Sequence, residues 1–156
     1  MTEPRDASRP VPRVLCTGIA VRDLVFRVGT PPKVGTKTNA SHYLEIIGGN
    51  AANAAVGIAR LGGRVSFAGP LGADKVGRDL VAELRGEGID CVNVLPVADV
   101  TTPVSAILLD DAGERTITTY RDKRLKEVAC PDPARAIEGC AIVSADNRFP
   151  IFAGGI

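Results

Sequence analysis

The chain has 156 residues, enough for one domain with a core of its own. Lysine plus arginine number 19 and aspartate plus glutamate 18, a net of +1, so the clustered positive excess of a nucleic-acid surface is missing. His42 is the single histidine, and Cys16, Cys91, Cys130 and Cys140 form no C-x-x-C pair; a tetrahedral zinc site lacks its spacing, and a reducing, cytoplasmic setting fits best.

Residues 1–12 carry charges and prolines but no apolar stretch, and are expected to form a flexible tail and not a signal peptide. No run reaches the length of a membrane helix. Residues 14–20 are a short apolar run that predicts a buried strand, and residues 24–28 a second one. A turn-rich break at 30–35 precedes a third strand at 41–47. The alanine-rich stretch 51–61 has no internal proline and predicts a helix, stopped by Gly62-Gly63. A strand follows at 64–70, then a helix at 75–85 with Asp74 as its N-cap. Residues 92–97 predict a short strand. Residues 101–109 and 115–120 flank an Asp/Gly turn and predict a hairpin, in which Asp110 and Asp111 are turn formers and not an acid/base pair. The basic runs at 60–64 and 121–126 read as solvated faces, His42 as structural or solvent-facing, and Cys16 and Cys140 as small buried hydrophobes. A helical turn at 133–138 and a buried strand at 140–145 complete the series.

This alternation predicts an α/β domain with a mostly parallel central sheet. The early strands and the later hairpin break the alternation, and are expected to pair as a separate small sheet. A parallel strand at 140–145 calls for a crossover helix and another strand. The chain reaches its apolar end, Phe152 to Ile156, before these can follow, and is read as truncated.

The segment Gly48-Gly49-Asn50-Ala51-Ala52-Asn53-Ala54-Ala55, followed by Gly62 and Gly72, is the most telling. A glycine pair lets backbone approach a ligand closely and opens a helix whose first N–H groups favour an acceptor or an anion. An amide at Asn53, one turn inside, can both donate and accept, as a sugar hydroxyl does. Taken alone, the glycine pair is equally an ordinary strand-to-helix turn, Asp23 a solvated or capping carboxylate, and Asn50 an N-cap as much as a ligand contact. The dinucleotide G-x-G-x-x-G and the G-x-x-x-x-G-K-[ST] phosphate loop are absent.

The order and spacing of these residues resemble the first signature of the ribokinase-like (PfkB) carbohydrate kinases. Gly18-Ile19-Ala20-Val21-Arg22-Asp23 resembles that family's opening strand. The stretch from Gly69 to Gly77 resembles its G-x-x-G-x-D-x-x-G, and Gly88-Ile89-Asp90 its later G-V/I-D. Thr101 to Ala106 and Gly113 to Thr116 look like its lid hairpin. Ser144 to Pro150 is similar to a D-x-R-W-P segment in a branch that includes sulfofructose kinases. The resemblance covers residues 13–150.

It implies a ribokinase-like, mostly parallel sheet with helices and a small β-sheet lid, the C-terminal half being absent. Residues 13–156 would be a partial domain with lid strands near 24–47 and 101–120. It implies an enzyme that transfers the ATP γ-phosphate to a sugar hydroxyl with Mg2+. Asp23, Gly48, Gly49, Asn50, Asn53 and Ser105 would bind the sugar. Val21 stands where family members often carry Asn, and Asn50 where ribokinases often carry Lys, so the pocket departs from a typical ribokinase. At a hairpin, Ser105, Tyr120 and Arg121 equally read as surface residues. The family's catalytic Asp lies in a C-terminal G-A-G-D segment that this chain lacks, so no catalytic residue and no metal ligand is assigned, and the chain alone is expected to be inactive. The alternative is a non-catalytic sugar-binding or dimerising module, a homodimer through the lid strands; neither nucleic acid nor membrane is expected as a partner.

Overall fold

A computed structural model describes residues 11–156; most of the expected tail, residues 1–10, lies outside them. Among the described residues, two four-stranded sheets form. The first has the order β5 (Asp90–Val97), β4 (Arg64–Gly72), β1 (Arg13–Thr17), β8 (Cys140–Ala145), and all its neighbours are parallel. The second has the order β3 (His42–Gly48), β2 (Val21–Arg27), β6 (Val104–Leu109), β7 (Arg115–Tyr120), with β2 parallel to β6 and the outer pairs antiparallel. The expected α/β fold with a separate small sheet is therefore present.

Residues of β1 and β4 alternate between the two faces of the first sheet, as a strand's period of two requires. Cys16, Val65 and Phe67 pack with Ala51, Ala52 and Ala55 of α1 (Asn50–Arg60) and Leu80 and Leu84 of α2 (Lys75–Gly86). Leu15 and Ala68 pack on the opposite side with Leu125, Ala136 of α3 (Pro133–Ile137), and Phe149 and Phe152 around α4 (Pro150–Gly154). The small buried face of α1 lets it lie close on the sheet. Truncating Phe67, fully buried at the centre, would cost about 3–5 kcal/mol on the pattern of such core deletions.

Three sequence expectations change. The basic run at 121–126 is not simply a solvated face: Lys123–Glu127 forms a 3-10 turn that drives Leu125, fully buried, into the second core. Cys140 is only partly buried, because β8 is the last strand of its sheet. The strand at 140–145 is not buried either: Ile142 is 56% and Val143 45% exposed. Among the described residues, no helix is long and apolar enough to cross a membrane.

Asp74 caps α2 as expected, accepting from Gly77 N at 2.8 Å. It also accepts from Thr102 N at 2.8 Å and Thr102 Oγ1 at 2.7 Å, tying the helix to the chain entering β6. Burial by itself raises the Asp74 carboxyl, but the hydrogen bonds from Thr102 and Gly77 outweigh it and hold the group below its ordinary value.

Candidate functional site

Pairing registers arrange the second sheet in cross-strand rows. Asp23 of β2 lies between Ile46 of β3 and Ser105 of β6, and Ser105 lies beside Thr119 of β7. The next row on the same face is Leu44, Val25, Ile107 and Ile117. This face looks across a hollow at the loop after β1 and at the start of α1. The hollow measures about 410 Å3. Asp23, Ser105, Thr119, Ile107 and Ile117 line one side, and Ile19, Gly49 and Asn50 the other. Arg121 and Arg148 also line it.

Asp23 is half-buried, and burial raises its carboxyl above the usual value against the opposing hydrogen bond with Ser105. Ser105 is buried, and its Oγ lies 3.0 Å from Thr119 Oγ1, so a polar row crosses three strands. The glycine pair serves two close approaches. A Cβ on Gly48 would overlap the Asp23 carboxylate. Gly49 has φ +95, and a Cβ there would overlap the Ile19 carbonyl oxygen.

The first turn of α1 is not left open to an outside anion. Asp146, one residue past β8, accepts from Ile19 N at 2.8 Å and from Ala51 N at 3.3 Å through Oδ2. Its Oδ1 accepts from Arg148 N at 2.8 Å. The carboxylate thus takes the place the helix N-terminus offers to an acceptor, and fixes the loop after β1 against α1. Asn50 begins α1, and Gly49 precedes it without a side-chain cap.

Of the six residues singled out in the sequence, Asp23, Gly49, Asn50 and Ser105 line one hollow, with Gly48 directly behind Asp23. Asn53 does not join them. It lines a separate depression with Glu45, Ile47, Val56, Arg60 and Glu83, on the side of α1 that meets β3 and α2. Ser105 and Arg121 are not mere surface positions of a hairpin, since both line the hollow; Tyr120 remains exposed.

Comparison with known proteins now bears on the site. Residues 11–143 match the sequence profile described as pfkB family carbohydrate kinase. The chain belongs to the pfkB family of carbohydrate kinases. Mouse (Mus musculus) ketohexokinase is 32% identical over 121 residues, covering 77% of this chain and 40% of that protein. Fructokinase-1 of Zea mays is 39% identical over 110 residues, covering 66% of this chain and 34% of that protein. Among solved structures, a candidate ribokinase from Agrobacterium tumefaciens superposes with a TM-score of 0.85 at 34% identity, covering 90% of this chain and 46% of that one. Arabidopsis thaliana ribokinase complexed with ribose and ATP superposes with a TM-score of 0.73 at 25% identity, over 90% of this chain and 46% of that one. The chain thus spans less than half the length of these relatives.

Within this pfkB family chain, Thr119, Ile107, Ile117 and Arg148 line the hollow without having been singled out as site residues. A signal for the first three was present. The hairpin turn is centred on Ala112, so Ser105 must face Thr119 and Ile107 must face Ile117 once the register is counted outward. Arg148 has no register to reveal it; its one signal is its place as the Arg of the Asp146–Pro150 segment, and the packing of β8 beside β1 brings its turn to the hollow.

Proposed function

We propose that this chain supplies the sugar-binding part, within residues 13–156, of an ATP-dependent carbohydrate kinase. The observation that carries the reading is the Asp23 carboxylate, held half-buried in the hollow beside Ser105 and against Gly48. A carboxylate in that setting accepts hydrogen bonds from two adjacent sugar hydroxyls and fixes their orientation for attack on a phosphoryl group. Asn50 and the backbone at Gly49 face it across the hollow and complete the grip. Asn53 has no part in this version of the site. A ketose acceptor agrees with the names of the mouse and maize relatives, and a sulfofructose-type acceptor rests on the Asp146–Pro150 segment alone.

In the whole enzyme, ATP would donate the phosphoryl group and Mg2+ would offset its charge. The described residues show no dedicated metal site and no backbone cradle for phosphate. None of them forms a cluster of three or more His, Cys, Asp or Glu side chains suited to a metal ion, and the sequence has no phosphate loop. The helix N-terminus that could cradle phosphate holds Asp146 instead. No residue of this chain is therefore assigned to the transfer step, and the chain by itself binds sugar without phosphorylating it. A cytoplasmic setting belongs to the same proposal.

Calorimetric titration of the chain with fructose and with ribose tests it. At least one sugar binds, the Asp23→Asn variant weakens it by roughly tenfold or more, and adding ATP gives no sugar phosphate. Sugar affinity indifferent to Asp23→Asn sinks the reading.

A second reading, that the small sheet also acts as a dimerising lid, is favoured by one observation. Leu44 (60% exposed) and Ile117 (52% exposed) sit in one apolar row with Val25 and Ile107. Two copies stacking these rows would bury them. Sedimentation should then show a dimer that Ile117→Lys dissociates; a monomer at high concentration removes this reading.

A further inference from the structure

Arg121 and Arg148 line the hollow that holds Asp23, yet among the described residues neither guanidinium forms an ion pair with a carboxylate. Arg121 is half-buried two residues beyond Thr119, and Arg148 is exposed in the turn after β8. The ion pairs among the described residues engage Arg13, Arg22, Arg27, Arg60, Lys75 and Arg124, and not these two. The acids adjacent to them in sequence are committed elsewhere. Asp122 pairs with Arg124, which holds its carboxyl down at about 2. Asp146 is occupied by the backbone N–H groups of Ile19, Ala51 and Arg148. The hollow therefore presents two guanidiniums and one carboxylate, an excess of one positive charge. A neutral sugar satisfies Asp23 and Asn50 but offers no charged acceptor to either guanidinium, and Arg121 is the one partly withdrawn from water, where an unmatched charge is costly.

We infer that the acceptor sugar of this site carries an anionic substituent, a phosphate or a group of like charge and shape, gripped by Arg121 and Arg148. The guanidinium fork matches tetrahedral oxyanions through paired N–H donors. Arg121 extends from the end of β7, and Arg148 from the turn fixed by Asp146, so the two approach the hollow from different elements. The anionic end of the sugar lies towards them, and the hydroxyls to be oriented lie at Asp23. This separates the chain from relatives named for ribose or fructose, whose acceptors carry no charge. The inference rests on the sugar-site reading above. The same oxyanion chemistry could instead come from a nucleotide phosphate, and the test has an arm for each source.

The 156-residue chain is titrated calorimetrically with fructose, fructose 1-phosphate, fructose 6-phosphate and ATP, and the series is repeated for Arg121→Gln, Arg148→Gln and Arg148→Lys. At least one sugar phosphate should bind roughly tenfold tighter than fructose, each Gln variant should bring that ratio close to one, and Arg148→Lys should keep part of it. Added salt should shrink the ratio as well. Equal affinity for fructose and both sugar phosphates overturns the inference. So does a loss of ATP affinity in the Gln variants with the sugar ratio unchanged, which would assign the guanidiniums to the nucleotide. If sugar binding depends on Asp23 but ignores phosphate, only this inference falls. If no sugar binds and Asp23→Asn equals the wild type, the sugar-site reading falls with it.

Discussion

Asp23 is a residue whose proposed role and contribution to stability pull in opposite directions. Its folded-state carboxyl is raised by burial, so the folded chain holds the proton more tightly than the unfolded one. The contribution to stability is then fully present below the unfolded value near pH 4, and is lost as pH rises through the higher folded value. At pH 7 the ionised group is a cost to the fold. Asp23→Asn should therefore raise the melting temperature at pH 7, with the gain vanishing near pH 4, while it weakens sugar binding. Parallel melts of both proteins at the two pH values check this; an Asn variant less stable at pH 7 would contradict it. Gly48 shows the complementary constraint. Its missing side chain is the space the Asp23 carboxylate occupies, so the glycine pair and the aspartate are one device. The buried thiols, unlike Asp23, lie outside the hollow and stay inert. Burial pushes both Cys16 and Cys91 up to about 11, far from reactive thiolates at neutral pH.

At the scale of elements, Asp74 joins a helix start to a strand entrance. One carboxylate satisfies Gly77 N at the head of α2 and both the N–H and the hydroxyl of Thr102, which leads into β6. Asp74→Ala removes the cap and leaves the buried Thr102 donors unmatched, at a cost of about 2–4 kcal/mol by urea denaturation. The sign with pH is opposite to that of Asp23. The Asp74 carboxyl is depressed, so its contribution is present above about pH 4 and is lost as pH falls through its lower folded value. The wild type should lose the advantage over Asp74→Ala in acid, and a stability difference independent of pH would count against the charged cap. Helix α1 shows a different solution to the same end problem, with the carboxylate coming from Asp146, far along the chain.

Across the whole molecule, the two sheets are linked by a side of β2 that the site does not use. Arg22 alternates with Asp23 along the strand and so points to the opposite face, where it is buried and forms two hydrogen bonds with Glu83 of α2, at 3.0 and 2.6 Å. That pair pins the small sheet, and with it Asp23 and Ser105, to the helical layer over the large sheet. Glu83→Ala leaves a buried guanidinium unpaired. The pair is half open to solvent on the glutamate side, so the loss should be about 1–3 kcal/mol and not the larger cost of a fully buried pair. Sugar affinity should fall too, although Glu83 is outside the hollow. Chemical denaturation combined with sugar titration reads both effects, and a variant with unchanged stability would show that apolar packing alone holds the sheets together.

The sequence by itself determined the local structure and the family. Alternating apolar strands, the alanine-rich α1 and the capped α2 follow from propensity and spacing, which act over a few residues. The glycine pair with Asp23 is legible because backbone approach demands residues without a Cβ. What only the tertiary structure decided is which side chains share one cavity. Asn53 lines the depression beside β3 and α2 instead, and Arg148 arrived through the pairing of β8 with β1, whereas Thr119 and Ile117 follow from the hairpin register that the turn already implied. Asp146 capped α1 from a distance that no local pattern encodes. These placements depend on which strands become neighbours, and that is set by burying both faces of a parallel sheet at once rather than by any single segment.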